Sequence, residues 1–161
     1  MKNKYKFGIS GEIKIANYLS DCILFKNLKV ISGSGKYAHK KEDLTNELVL
    51  IQVKTTKKNI YSIKFRELVN LIENAKKIYK IPFFCIYFSS VNSIKILIPL
   101  DWFSDIKDYL TDKSLNLVTE TIDAGTNDNK QKNSHINPNE LHVFYTVNDI
   151  TLFILHKYDF K

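Results

Sequence analysis

Cysteine is scarce in this chain. Its two residues, Cys22 and Cys85, lie far apart with no CxxC spacing, which argues against a zinc ribbon or a disulfide framework and leaves two reduced core thiols as the expectation. The four histidines, His39, His135, His142 and His156, show no metal-ligand spacing. His39 alone falls near the motifs described below, and a surface loop is its expected setting. No apolar run approaches the roughly 18 residues that cross a bilayer. The basic stretch Met1-Lys-Asn-Lys-Tyr-Lys lacks a following apolar segment of signal-peptide type. The expectation is therefore a cytoplasmic protein with no membrane partner, associated with the nucleoid if its partner is DNA.

What the chain has in quantity is positive charge, unevenly placed. Residues 1 to 100 carry 18 Lys and Arg against 7 Asp and Glu, a net +11, whereas residues 101 to 161 carry 6 against 10, a net −4. A positive field of that size favours a polyanionic partner, and nucleic acid comes first; an ordinary solvated lysine surface is the plainer alternative. With 161 residues, 44% of them hydrophobic, the chain can bury one good core. The expected organisation is a core over 1–110 and an extension over 111–161 packed on the same domain. No internal repeat is present.

Hydrophobic periodicity predicts an α/β fold, a central mixed β-sheet flanked by helices. Residues 4 to 20 read as a helix with an inward stripe of Tyr5, Ile9, Ile13, Ala16 and Leu19. Glu12 falls inside that stripe, where an unpaired charge is costly; this marks it as a candidate site residue, against the plainer reading of a boundary glutamate reaching water. A strand is expected over Ile23 to Ile31, broken near Lys26-Asn27, followed by the loop Ser32-Gly-Ser-Gly-Lys-Tyr-Ala-His-Lys-Lys. Its glycines and lysines suit phosphate contact, but the spacing is not that of a Walker A loop. Ile63 to Tyr79 carries Phe65, Leu68, Ile72, Ala75 and Tyr79 at helical spacing, with Arg66, Asn70, Glu73 and Lys77 facing water. Phe83 to Phe88 and Ser93 to Pro99 read as neighbouring strands, and strand, helix, strand implies a crossover connection. A short helix capped by Asp101 is expected over 101–110, a polar loop over 119–140, and a C-terminal β-hairpin over 141–155.

The most informative stretches are Glu42-Asp43-Leu44 and Ile51-Gln52-Val53-Lys54. Leu48 to Lys54 reads as a buried strand, so Gln52 and Lys54 share a face. A two-residue turn over Asn46-Glu47 would set Asp43 opposite Leu50 and diagonal to Gln52, about 7–8 Å away on that same face. Hydrolysing a phosphodiester with Mg²⁺ requires hard oxygen ligands, a cation against the developing charge, and a positioned water. Asp43, Glu12, the Gln52 amide oxygen and the Val53 main-chain carbonyl are the candidate metal ligands, and Lys54 the candidate cation. The plain alternative is a structural hairpin with incidental polar residues.

A helix glutamate, a Gly-Ser loop, an aspartate and then [E/Q]xK resembles the PD-(D/E)xK nuclease superfamily, with its restriction-endonuclease-like core. Within it the match is best to the archaeal-type Holliday-junction resolvases, which also occur in phages. The resemblance runs through Gly11-Glu12, Val30-Ile-Ser-Gly-Ser-Gly-Lys, Glu42-Asp43-Leu44, Ile51-Gln52-Val53-Lys54-Thr-Thr-Lys-Lys, Tyr61, Leu68, Leu71-Ile72 and Ile81-Pro82 to Phe88, covering about residues 4 to 100. It implies a homodimer that uses Mg²⁺, with Mn²⁺ as a substitute ion, to place paired nicks in branched DNA. It also implies catalytic positions for Glu12, Asp43, Gln52 and Lys54, and a loop serine, Ser34 ahead of Ser32, that assists them. Lys36, Lys40, Lys41, Lys57 and Lys58 are the expected DNA-binding residues.

Two departures stand out. Gln52 replaces the family's second acid and removes one negative charge, and Lys41-Glu42 replaces its Pro-Asp approach; residues 101 to 161 have no placed counterpart. The competing expectations are a restriction- or repair-type endonuclease on duplex DNA, and a catalytically inactive DNA-binding module of the same fold.

Overall fold

The computed structural model describes residues 2–31, 42–125, 135–136, 138–139 and 144–161, without the side chains of 2–10, 118 and 121–125. Of the residues singled out above, Ser32, Ser34, Lys36, His39, Lys40, Lys41 and His142 lie outside these, as do the side chains of Tyr5 and Ile9.

Among the described residues, seven strands form one mixed sheet in the order β1-β2-β3-β4-β5-β7-β6. They are β1 (Lys29–Val30), β2 (Leu44–Thr45), β3 (Val49–Thr56), β4 (Ile81–Phe88), β5 (Ser93–Pro99), β6 (Phe144–Val147) and β7 (Ile150–Leu155). The helices are α1 (Lys2–Leu19), α2 (Phe65–Lys77), α3 (Phe103–Ile106) and α4 (Asp112–Gly125). β3 and β4 are parallel, joined through α2, while the other strand pairs are antiparallel. The α/β expectation is met at this level. Among the described residues no helix is long and apolar enough to cross a membrane.

Strand alternation divides the core into two layers. Val49, Ile51 and Val53 point to the side of α1, where Ile15, Leu19, Phe25, Phe83 and Cys85 complete one cluster. Leu50 points to the side of α2, with Leu68, Leu71, Ile72, Phe84 and Ile86. Gln52 and Lys54 alternate with the first set and so belong to the α2 layer. Both cysteines are buried and free, and burial raises both thiols above their ordinary range.

Several local expectations are corrected. The inward face of α1 is Ile15 and Leu19, whereas Ile13 is 47% exposed. The region expected as one strand from Ile23 begins as a 3-10 turn, Ile23–Phe25, and Asn27 at φ 59° redirects the chain before β1. Likewise α2 stops at Lys77, and Tyr79, expected in its buried stripe, is 96% exposed at φ 54°. The Lys80 amide donates back to the Ala75 carbonyl at 3.0 Å, the bond that closes a helix through a left-handed residue. The helix capped by Asp101 becomes two 3-10 turns around the four-residue α3, with no side-chain cap.

Residues 119–125, expected as loop, continue α4. The C-terminal hairpin is present, turning at Asn148 with φ 54°. β7 pairs with β5, so the hairpin lengthens the main sheet.

Candidate functional site

The site is built where β2 leaves β3. Leu44 pairs with Ile51 and Thr45 with Leu50, and just before the first of these pairs the Asp43 side chain meets that of Gln52. This corrects the expected register by two residues. The two-residue turn is Glu47-Leu48, not Asn46-Glu47, because the Asn46 side chain organises it. Its Oδ1 accepts the amides of Leu48 at 2.9 Å and Val49 at 2.8 Å, an Asx-type turn. A shift of two preserves the face of every side chain, whereas a shift of one would have inverted it. Asp43 therefore still meets Gln52, and at closer range than the diagonal would allow.

The Asp43 carboxylate is buried, and its Oδ2 accepts two donors, the Gln52 side-chain amide and the Val53 main-chain N–H, the latter at 2.7 Å. The Asp43 amide itself donates to Ile51 O at 3.0 Å. Within a strand a residue's N–H and C=O point to the same edge. The Val53 carbonyl thus shares with its N–H the β2-side edge of β3, next to Asp43.

Lys54, two residues beyond Gln52 on the same face, extends toward α2. Its Nζ lies 3.2 Å from Glu67 Oε1, with both side chains partly exposed. The other carboxylate oxygen of Glu67 is buried and accepts no hydrogen bond from a described residue. Gln52, Lys54 and Glu67 line a cavity of about 400 Å³ together with Glu42, Arg66 and Asn70. The Glu42 carboxylate is held by the Asn74 amide at 2.6 Å. Nearby, Tyr61 tilts against Phe84, the β4 neighbour of Gln52. Burial, reinforced by the negative charge of Glu67, raises the Tyr61 hydroxyl's pKa.

The structure brings together Asp43, Gln52, Val53 and Lys54. Glu12 belongs to the other layer. Its helix packs on the α1 face of β3, with Gly11 against Thr55, and its carboxyl makes no hydrogen bond or ion pair with a described residue. Partial burial raises its pKa. Lys57 and Lys58 are exposed just beyond β3.

Among the described residues, no group of three or more His, Cys, Asp or Glu side chains could hold a metal ion. Among the described residues, the Asp43 carboxylate and the Val53 carbonyl are hard oxygens on one edge of β3. Their chemistry fits a hard divalent cation, with Gln52 and Glu12 as the further candidates.

Two residues escaped the sequence reading. Glu67 was hidden because helical spacing alone does not reveal that the first turn of α2 overlies Lys54. Lys95 is only 1% exposed; it shares a cross-strand row with Ile86 and Lys54 and lies 3.5 Å from His156 Nε2. Its place inside an alternating strand was the available signal.

No protein-family model matches the chain, and no curated protein matches it.

Proposed function

We propose that this protein is a Mg²⁺-dependent endodeoxyribonuclease that acts on branched DNA, nicking four-way junctions in pairs as a homodimer, in recombination or repair. The observation that carries this reading is the facing pair Asp43 and Gln52 with Lys54 on the same side of β3. An acid meets an amide and an ammonium of β3 on one face, and the Val53 carbonyl lies at the strand edge beside them.

In this reading Asp43 and Val53 hold the cation, with Gln52 and Glu12 as further ligands. Mg²⁺ held there would supply Lewis-acid polarisation of the scissile phosphate. The Lys54 ammonium stabilises negative charge gathering on the phosphoryl oxygens and orients the attacking water. The net +11 of the first 100 residues attracts the phosphodiester backbone. Pairing of two equivalent nicks is most simply made by a two-fold protein.

A second reading has its own support: a DNA-binding module without cleavage. Asp43 Oδ2 is already engaged by two donors, as a purely structural carboxylate would be.

One experiment separates the readings. The protein is incubated in Mg²⁺ with junction, flap and linear DNA side by side, together with Asp43→Asn. Junction cleavage silenced by Asp43→Asn with DNA affinity retained supports the proposal. Equal cleavage of linear arms replaces it with a duplex-type endonuclease, and DNA binding without cleavage in Mg²⁺ or Mn²⁺ leaves the inert module.

A further inference from the structure

A second cationic site lies at the turn end of the β2–β3 hairpin, away from the proposed cleavage machinery. An open cavity of about 540 Å³ is lined there by Lys26, Lys29 and Lys80, with Glu47 as its one acid. The three lysines come from separate segments. Lys26 follows the 3-10 turn, Lys29 lies on β1, and Lys80 follows α2, delivered by the left-handed Tyr79.

Lys80 is the unusual member. It is half-buried, and its ammonium donates to Thr45 Oγ1 at 2.8 Å and to the Asn46 carbonyl, both neutral oxygens. Neither Lys80, Lys26 nor Lys29 forms an ion pair with a described residue. An ammonium whose acceptors among the described residues are neutral oxygens is not compensated by an acid there, and gains from an incoming anion. The scaffold around it is fixed, because Asn46 Nδ2 donates to Leu24 O at 3.0 Å and to Lys26 O at 2.9 Å. One side chain therefore ties the Lys26 segment to the turn that seats Lys80.

We infer that Lys26, Lys29 and Lys80 form a second backbone-phosphate site that holds nucleic acid flanking the point of cleavage. This rests on the nucleic-acid reading given above. At about 3.3 Å per strand residue, the start of β3 lies about 10 Å from Gln52 and about 17 Å from Lys54. With a rise of about 3.4 Å per nucleotide along a duplex strand, that is a phosphate about three to five nucleotides away. Lys57 and Lys58, exposed past the other end of β3, would hold the same backbone on the far side of Lys54.

The test is fluorescence anisotropy of a labelled four-way junction with the full chain in EDTA, so that no cleavage intervenes, over a range of NaCl concentrations. The variants are Lys26→Gln/Lys29→Gln, Lys80→Gln, and a control of equal charge loss elsewhere, Lys107→Gln/Lys113→Gln. Each lost phosphate contact lowers the slope of log K against log salt by about 0.9. The first double variant is expected to lose about 1.8 in slope, Lys80→Gln about half of that, and the control little. Lys80→Arg, keeping the charge, should hold the slope. Equal losses in the double variant and control would mean bulk charge alone and overturn the site. Unchanged slopes in a wild type that binds would overturn it while leaving the nucleic-acid reading intact. Failure of the wild type to bind any DNA at low salt would remove both.

Discussion

Lys54 and Glu67 join β3 to the first turn of α2, Nζ to Oε1 at 3.2 Å, and the remaining Glu67 oxygen is buried without a donor among the described residues. Both side chains are more than a quarter exposed to solvent, so the pair contributes at most about 1 kcal/mol to stability. Its expected importance is to the charge presented to substrate. Glu67→Gln should leave the melting temperature nearly unchanged but alter cleavage and its pH profile. Lys54→Ala should lower cleavage by about 100-fold or more. Thermal melts beside cleavage rates decide this; a Glu67→Gln variant that melts early and cleaves normally would show a purely structural pair.

Gln52→Glu restores a charge at the position facing Asp43. Two carboxylates in that buried contact repel each other and lose the amide donor that now satisfies Asp43 Oδ2. The variant should therefore melt below the wild type in EDTA. If a divalent cation binds there, Mg²⁺ or Mn²⁺ should raise the variant's melting temperature more than the wild type's. Equal shifts in the two proteins would remove the cation from this edge.

Gly11 is a point of close approach between α1 and β3. A Cβ built there would stand 2.0 Å from Thr55 Oγ1 and 3.2 Å from Thr55 Cβ. Gly11→Ala is expected to destabilise by about 1–3 kcal/mol through overpacking. Adding Thr55→Ala removes the nearest atom and should return most of the loss, as chemical denaturation of the single and double variants will show. Additive losses would refute the contact.

Glu12 titrates above the usual carboxylate range because burial penalises its charge. A pKa raised in the folded state favours folding below the unfolded pKa, and that contribution disappears as pH rises through the folded pKa. Glu12→Gln, which cannot ionise, should then gain melting temperature relative to wild type at pH 8 compared with pH 4. A difference that stays constant with pH would contradict the burial of this carboxyl.

Local sequence was sufficient for much of the architecture. The apolar runs and helical spacing gave β3, α2, β4 and β5 within a few residues, and period-2 alternation placed Gln52 and Lys54 together. Alternation is a local property, and it survived even the two-residue error in the hairpin register. Residues that break a local pattern were less legible. Asn27, Tyr79 and Asn148 all take positive φ without being glycine, and at Asn27 and Tyr79 the elements end or bend earlier than periodicity alone would suggest.

The sequence by itself determined the layer each β3 side chain enters, the reduced state expected of two buried cysteines, and the concentration of positive charge in the first 100 residues. Tertiary structure decided which groups meet. Asn46 capping set Asp43 against Gln52, the packing of α2 brought Glu67 onto Lys54, and α1 packed its helix on the other face of β3. The reason is that periodicity follows from backbone geometry, which repeats along the chain. Contacts between elements depend on turns and packing that join residues tens of positions apart.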